Sequence, residues 1–341
     1  MISIKGQTNI TDLRVGRDSL NGLGKEIGKF IVTTMEIPWQ LSKDKLGGNP
    51  EKVFLIESME ESRLDDMVAA VPACDAVVGI GGGQAIDAAK YISWKKGIRL
   101  VTVPSIISVD AFVTPAAGIR RNHEVAYVGS STPNPLVIDF NLLRTAPPEL
   151  NIAGIGDLLS IHTGSFDWEY AESRGKSEYP FSATDVAAGR KILEKIYAKL
   201  NAIRENTDEG LMAIVEGYMT MNTICLPAGH YRIEEGSEHF LFYELEERLA
   251  RPFVHGHIVG LGIYLMSQLQ GNQFDMIKNV MDRVGLKYHP VDLGIRKEDL
   301  LASLLNVKNY VASKPHLWFS VINDSEITGE WALKAMAGLR F

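Results

Sequence analysis

The chain has 341 residues, 45% hydrophobic and 23% charged, which suits a globular protein with room for two cores. A formal net charge of −7 argues against a general nucleic-acid or acidic-membrane binder, which would be basic, but leaves room for a locally positive pocket. The two cysteines, Cys74 and Cys225, offer neither a disulfide framework nor a metal knuckle and read as small buried side chains in a reducing compartment. The opening MISIKGQTNI is too polar for a secretory segment, and no apolar run approaches membrane-spanning length, so a cytoplasmic protein without membrane insertion is expected.

In chain order, the first 145 or so residues alternate strand and helix. FIVTTMEI (30–37), KVFLIES (52–58), AVVGI (76–80), RLVTVPS (99–105) and LVID (136–139) are short, β-branched and apolar, as strands buried on both faces of a parallel sheet are. Helix-like stretches such as SLNGLGKEIGKF (19–30) and ESRLDDMVAAV (61–71) lie between them. Pro147 and Pro148 break the chain within RTAPPELNIAGIGD (144–157). Beyond them ATDVAAGRKILEKIYAKLNAI (183–203), EGLMAIVEGYMTMNTICL (209–226) and GHIVGLGIYLMSQL (256–269) carry apolar residues at helical spacing. LWFSVI (317–322) is the one later stretch with strand-like alternation. The expectation is an α/β domain over residues 1–146 and an all-α domain over 147–341, with no internal repeat.

AVVGIGGGQAIDAAKYIS (76–93) reads as strand, glycine turn and helix. Gly81, Gly82 and Gly83 let the backbone approach a phosphate closely, and the helix that follows aims its free N–H groups and positive end at the same place. The common dinucleotide fingerprint would need glycine where Gln84 stands, and no G-K-[ST] follows, so this is not a P-loop. A ligand-free tight turn is the alternative. Asp87 and Lys90 follow in the helix, as functional groups or as solvated charges.

GSEHFLFYELEERLARPFVHGHIVG (236–260) holds His239, His255 and His257. Two histidines on one helix share a metal best at i and i+4. His239 and His255 are sixteen apart around Arg251-Pro252 and belong to two elements. His255 and His257 are two apart, which on a helix separates them by about 200°, so one ion would take one of them. A two-histidine site needs a third ligand and an open position to be catalytic. The best carboxylate is Asp157 in AGIGDLLSIHTG, at the head of the helical half. Spacing alone leaves a metal site possible, with satisfied structural histidines as the alternative.

Taken together, the strand-GGG-helix with Asp87 and Lys90, the GD opening the helical half, and the pair GSEH … HGxxVGxG resemble the glycerol dehydrogenase and dehydroquinate synthase-like superfamily, which includes the iron-containing alcohol dehydrogenases. GDLLSIHTGSFDWEYA (156–171) and HYRIEEGSEH (230–239) are similar to the GD…T…DW and SRP-x-SG-x-EH patterns of its sn-glycerol-1-phosphate dehydrogenase branch. The resemblance runs from about residue 10 to 335. It implies a Rossmann-like N-terminal domain and an α-helical C-terminal domain, the dehydroquinate synthase-like fold. It also implies NAD or NADP, one divalent metal ion (zinc first, iron or nickel otherwise), and a homo-oligomer acting on a small alcohol or ketone, phosphorylated or not, with no nucleic-acid partner.

By position, the metal ligands fall on Asp157, His239 and His255, with His257 in a second layer or facing solvent. Cofactor positions fall on Gly81, Gly82, Gly83, Gln84, Asp87, Thr102, Ser105 and Ser108, and substrate positions on Asp110 and Arg232. Asp110, catalytic by this reading, would orient substrate hydroxyls, and Arg232 would face an anionic group or make a surface ion pair. Hydride transfer between sn-glycerol 1-phosphate and dihydroxyacetone phosphate, or a close relative of that pair, is the implied reaction. A cyclase of the dehydroquinate synthase type would carry glutamate where Asp157 stands, and a dehydrogenase for an unphosphorylated alcohol is the remaining alternative. The chain departs from the branch at Val109 of Ser108-Val109-Asp110, at Ile161 where lysine is expected, at Tyr231 and Ile233 around Arg232, and in HLWFSVI (316–322). Thr34 stands where many alcohol dehydrogenases carry an aspartate that disfavours NADP, so both nicotinamides stay open.

Overall fold

The computed structural model describes residues 9–121 and 124–341. The MISIKGQT stretch, part of the segment read as too polar for secretion, lies outside them. The chain forms two compact units. One runs to Asn151 and takes in Tyr218–Thr223, and the other comprises Ile152–Gly217 with Ile224–Phe341.

The first unit carries β1 (Leu13–Gly16), β2 (Phe30–Thr34), β3 (Lys52–Leu55), β4 (Ala76–Gly81), β5 (Arg99–Pro104), β6 (Ala117–Arg121), β7 (Glu124–Val128) and β8 (Leu136–Asp139). Six of them make one parallel sheet in the order β1-β8-β5-β4-β2-β3, and β6 and β7 form an antiparallel pair. Both faces are covered. Val32, Val78, Ile80, Val101 and Val103 point into one apolar cluster with Leu20, Leu23 and Phe30, while Ile31, Val77 and Leu100 point into the other with Leu64, Tyr91 and Ile92. The period of two sorts consecutive β-branched residues onto opposite faces, which is why a parallel sheet reads as a continuous apolar run. From β2 the chain moves outward to β3, then returns to β4 and moves the other way to β5. The carboxyl ends of β2 and β4 therefore form the switch point of the sheet, where such folds bind ligands.

All five predicted strands form, with changes at the edges. The run expected as strand over 30–37 stops at Thr34, and a helix starts at Glu36, with Pro38 in its first turn, where a missing N–H costs nothing. β1 and the β6–β7 pair had no sequence expectation. Among its described residues the second unit has helices joined by loops and no strand. The helix expected over 183–203 breaks into Ala183–Tyr197 and Leu200–Arg204. LWFSVI does not form a strand. The Ser320 hydroxyl accepts from Ile322 N–H and starts the short helix Val321–Asp324. Of the cysteines, Cys225 is buried and Cys74 only half-buried, and neither forms a disulfide. Among the described residues no helix is long and apolar enough to cross a membrane.

Candidate metal centre

In the first unit the glycine turn closes as the strand-turn-helix motif requires. Gly81 ends β4 at φ +151°, and a Cβ there would lie 2.7 Å from Ala85 Cβ. A Cβ on Gly79 would meet Ala89 Cβ at 2.8 Å, so these glycines let the helix Gly83–Lys96 lie against the strand. Gly82 caps that helix with no side-chain acceptor for its first-turn N–H groups, the arrangement in which a helix start can receive an anion. Cβ atoms on Gly82 and Gly83 would meet Ile106 Cδ1 at 2.8 Å and Val109 Cγ1 at 3.0 Å, so the loop after β5 borders the turn. Ser105 N–H also donates to Gly81 O at 2.9 Å.

Gln84 is exposed and Ser108 buried. Thr102 is buried and donates its hydroxyl to Phe112 O at 3.2 Å, which supports the turn Asp110–Phe112. Asp110 sits half-buried at the start of that turn. Lys90 is not a solvated charge. It is 1% exposed and donates to Asp87 Oδ1 at 2.9 Å, Thr114 Oγ1 at 3.1 Å and Ala116 O at 2.9 Å. Burial pushes the Asp87 carboxyl up, against the pull of Lys90 and of an N–H from Gly118. Together these two residues fasten the start of β6 to the helix.

The second unit brings three predicted ligands together. Asp157 is the third residue of the helix Ile155–Ser173, His239 the third of Ser237–Leu249, and His255 the first of His255–Gln270. One donor atom from each lies within 4.8 Å of the others. His255 Nε2 is 3.0 Å and His239 Nε2 4.0 Å from Asp157 Oδ1. A tetrahedral zinc site would set its donors about 3.3 Å apart at bond lengths of about 2.0–2.1 Å, so small side-chain shifts suffice. Two imidazoles and one carboxylate are also the donors of open catalytic zinc and iron sites. Asp157 and His239 are each 6% exposed, and the His255 side chain is 23% exposed, which leaves one approach open. His257, two residues on, is buried and outside the cluster, so it does not face solvent.

Glycines make this convergence possible. Gly156 precedes Asp157 and Gly256 follows His255; a Cβ on Gly156 would lie 2.0 Å from Gly256 O, and one on Gly256 would lie 1.7 Å from Ala153 O. Six residues further along the same helix, a Cβ on Gly262 would lie 2.4 Å from Glu238 O, beside the third ligand. The helix His255–Gln270 is thus notched at two levels, and both other ligand-bearing helices approach it backbone to backbone. Phe242 meets the His255 ring edge-on with centroids 4.9 Å apart and limits its rotation.

Behind the candidate ligands lie three buried charged groups, of which only Arg232 carried a predicted role, toward the substrate. Asp167 accepts from Ser237 N–H at 2.7 Å and Val321 N–H at 3.0 Å and so caps two helices. Burial, and then the charge of Glu238, push its carboxyl up to about 6. Glu238 is fully buried beside His239. Arg232 is neither a surface ion pair nor open to a ligand: it is 0% exposed. Its guanidinium donates to Glu235 O at 3.3 Å, Asp167 O at 3.1 Å and Phe319 O, and lies 5.5 Å from the Trp318 ring centroid. Burial lowers its pKa. Glu238 and Asp167 were visible in the sequence only as the E of EH and the D of DW.

A parallel dinucleotide-type sheet followed by a helical unit with a clustered His-His-Asp set defines the dehydroquinate synthase-like class of fold. The family model for iron-containing alcohol dehydrogenases matches residues 40–147. Across 322 residues the chain is 26% identical to glycerol-1-phosphate dehydrogenase [NAD(P)+] of Methanosphaerula palustris, covering 94% of this chain and 86% of that protein. The fold matches the crystal structure of glycerol dehydrogenase from Schizosaccharomyces pombe with a TM-score of 0.74 at 20% identity, over 98% of this chain and 90% of that one. It matches a probable glycerol dehydrogenase from Sinorhizobium meliloti with a TM-score of 0.71 at 21% identity, over 96% and 94%. Over most of its length the chain is thus similar to glycerol-1-phosphate dehydrogenases, over residues 40–147 to iron-containing alcohol dehydrogenases, and in fold to glycerol dehydrogenases.

Burial alone would push the His239 imidazole down. Its hydrogen bond to Glu238 and the charges of Glu238, Glu235 and Asp157 outweigh that and hold it at about 9. This raised folded-state value adds stability below the ordinary histidine range, near 6.5, and that stability is lost as pH rises through about 9. A metal must displace the same proton. Titration calorimetry of Zn²⁺ binding at pH 7, in buffers of differing ionisation enthalpy, should therefore report about one proton released per ion; none released would contradict a protonated His239.

Gly262→Ala forces its new Cβ against Glu238 O and should cost about 1–3 kcal/mol of stability. It should also weaken Zn²⁺ binding by moving His239 away from His255. Chemical denaturation and competition titration measure the two effects, and a variant equal to the parent in both would contradict the notched-helix account.

Proposed function

We propose that the chain is a metal-dependent, NAD(P)-linked dehydrogenase that interconverts sn-glycerol 1-phosphate and dihydroxyacetone phosphate, or a close relative of that pair. The observation that carries this reading is the convergence of Asp157, His239 and His255 from three helices. The curated relatives named glycerol-1-phosphate dehydrogenase support the substrate class.

The groups not built from amino acids would supply Lewis-acid polarisation of the reacting oxygen, from a divalent ion, and a hydride carrier, from the nicotinamide. Everything else falls to side chains and backbone. Asp157, His239 and His255 would hold the ion through one carboxylate oxygen and two imidazole nitrogens. The N–H groups at Gly82 and Gly83, with the positive end of the helix behind them, bind the cofactor pyrophosphate. Gln84, Asp87, Ser105 and Ser108 border that site, and Thr102 holds the Asp110–Phe112 turn in place. Asp110, at the start of that turn, orients substrate hydroxyls by accepting from them. Oxidation of the alcohol would be balanced by reduction of NAD(P)⁺ with release of one proton, and reduction of the ketone by the reverse. Zinc is the first candidate ion, with iron or nickel as alternatives. A cytosolic homo-oligomer is the setting we propose.

One observation favours a second reading, a polyol or alcohol without phosphate. Arg232, the cation expected to meet an anionic substrate, is spent on backbone carbonyls inside the fold. Ile161 is buried where the branch carries lysine.

The test follows NAD(P)H oxidation by absorbance with dihydroxyacetone phosphate, dihydroxyacetone and simple aldehydes, using Zn²⁺-loaded and chelator-treated protein. The leading reading expects metal-dependent turnover with the highest kcat/KM on dihydroxyacetone phosphate. A preference for dihydroxyacetone would select the second reading. Turnover that survives complete metal removal would overturn both.

A further inference from the structure

Glu238 stands next to a metal ligand in the chain without being one. Its side chain is 0% exposed. One oxygen, Oε1, accepts from two donors, Gly236 N–H at 2.7 Å and His239 Nδ1–H at 2.9 Å. The other, Oε2, is buried with no hydrogen-bond partner among the described residues. Asp167 stands nearby, because a Cβ on Gly236 would lie 2.7 Å from Asp167 Oδ2 and 3.2 Å from Glu238 Oε2. A carboxylate kept in the interior with one oxygen unpaired is costly unless a positive charge compensates it. Part of its burden is local structure, since it holds the Gly236 N–H just ahead of the helix. An amide would hold that N–H equally well, so a full negative charge is unexplained by this duty.

We propose that Glu238 is a positioning residue for the metal centre, which fixes the His239 ring and supplies the second negative charge that a divalent ion needs there. The assignment rests on the metal-site reading above. An imidazole that donates through Nδ1 to a carboxylate keeps its Nε2 lone pair for a metal, and the ring cannot turn without breaking that bond. His239 Nε2 is the atom that faces Asp157 Oδ1, at 4.0 Å. Charge counting points the same way. The ligand set brings one negative charge, from Asp157, against two positive charges on the ion. All three ligands sit in the first turns of their helices, at the positive ends, which disfavour a cation further. Glu238 would provide the second negative charge one hydrogen bond beyond the His239 ring.

The experiment compares wild-type protein and Glu238→Gln by Zn²⁺ competition titration, by the visible spectrum of the Co²⁺ form and by the melting temperature of the metal-free protein. Glu238→Gln should bind Zn²⁺ about 10- to 100-fold more weakly and give an altered Co²⁺ spectrum. Its metal-free melting temperature, taken at pH 10 where His239 has lost its charge, should be equal or higher, because a buried charge has gone. Zn²⁺ affinity within about twofold of wild type would overturn the proposal. So would a loss of affinity matched by a fall in metal-free melting temperature, since that is the mark of a purely structural role. If Glu238→Gln does not fold, Glu238→Asp takes its place: it keeps the charge but draws the carboxylate back from Nδ1, and an unchanged Zn²⁺ affinity in it would equally overturn the proposal. Failure of the wild-type protein to take up one ion would instead remove the metal-site reading itself.

Discussion

The candidate site depends on a backbone contact more than on any ion pair. Gly156 and Gly256 face each other so closely that neither could carry a methyl group, and each adjoins a candidate metal ligand in the chain. Two helices carrying ordinary side chains stand 8–10 Å apart. Glycine at the crossing lets them approach further, and Asp157 Oδ1 then reaches within 3.0 Å of His255 Nε2. Gly262 repeats the device against the helix bearing His239. Interiors are dense and transmit strain, so an added atom at either notch is felt at the ligands.

A second constraint is electrical. Asp157, Glu238 and Asp167 are buried within one unit, with Arg232 as the compensating cation among them. Arg232 bonds to carbonyls on the helix of Asp157, on the loop before His239 and on the stretch before Ser320. It acts as a strut among three segments. The cluster remains rich in negative charge, and a divalent ion bound there would relieve that excess and link metal binding to the folding of this unit.

The parallel sheet was legible because its central strands are buried on both faces and therefore apolar throughout. β1, LRVG, is four residues long and half-buried, and β6, AGIRR, ends in two arginines, so neither carries that signal. The 317–322 stretch alternates like a strand, but the capping hydroxyl of Ser320 satisfies the backbone locally and turns it into a helix start. At the site, spacing could place His239 and His255 on different elements and could not choose between His255 and His257. The resemblance made that choice, and the geometry puts His255 in the cluster. The glycines of HGHIVGLG stood out as a pattern, yet their purpose lies in residues about a hundred positions away for Gly256 and about two dozen away for Gly262. Arg232 was chemically ambiguous in sequence, since a guanidinium serves a phosphate or a set of carbonyls equally well, and only its burial separates the two.

The most direct test of the account is X-ray absorption at the zinc edge of the Zn²⁺-loaded protein. Binding by Asp157, His239 and His255 predicts a first shell of nitrogen and oxygen only, at about 2.0–2.1 Å, with the multiple-scattering signature of two imidazoles. A sulfur neighbour at about 2.3 Å, or fewer than two imidazoles, would place the ion elsewhere and contradict the metal centre.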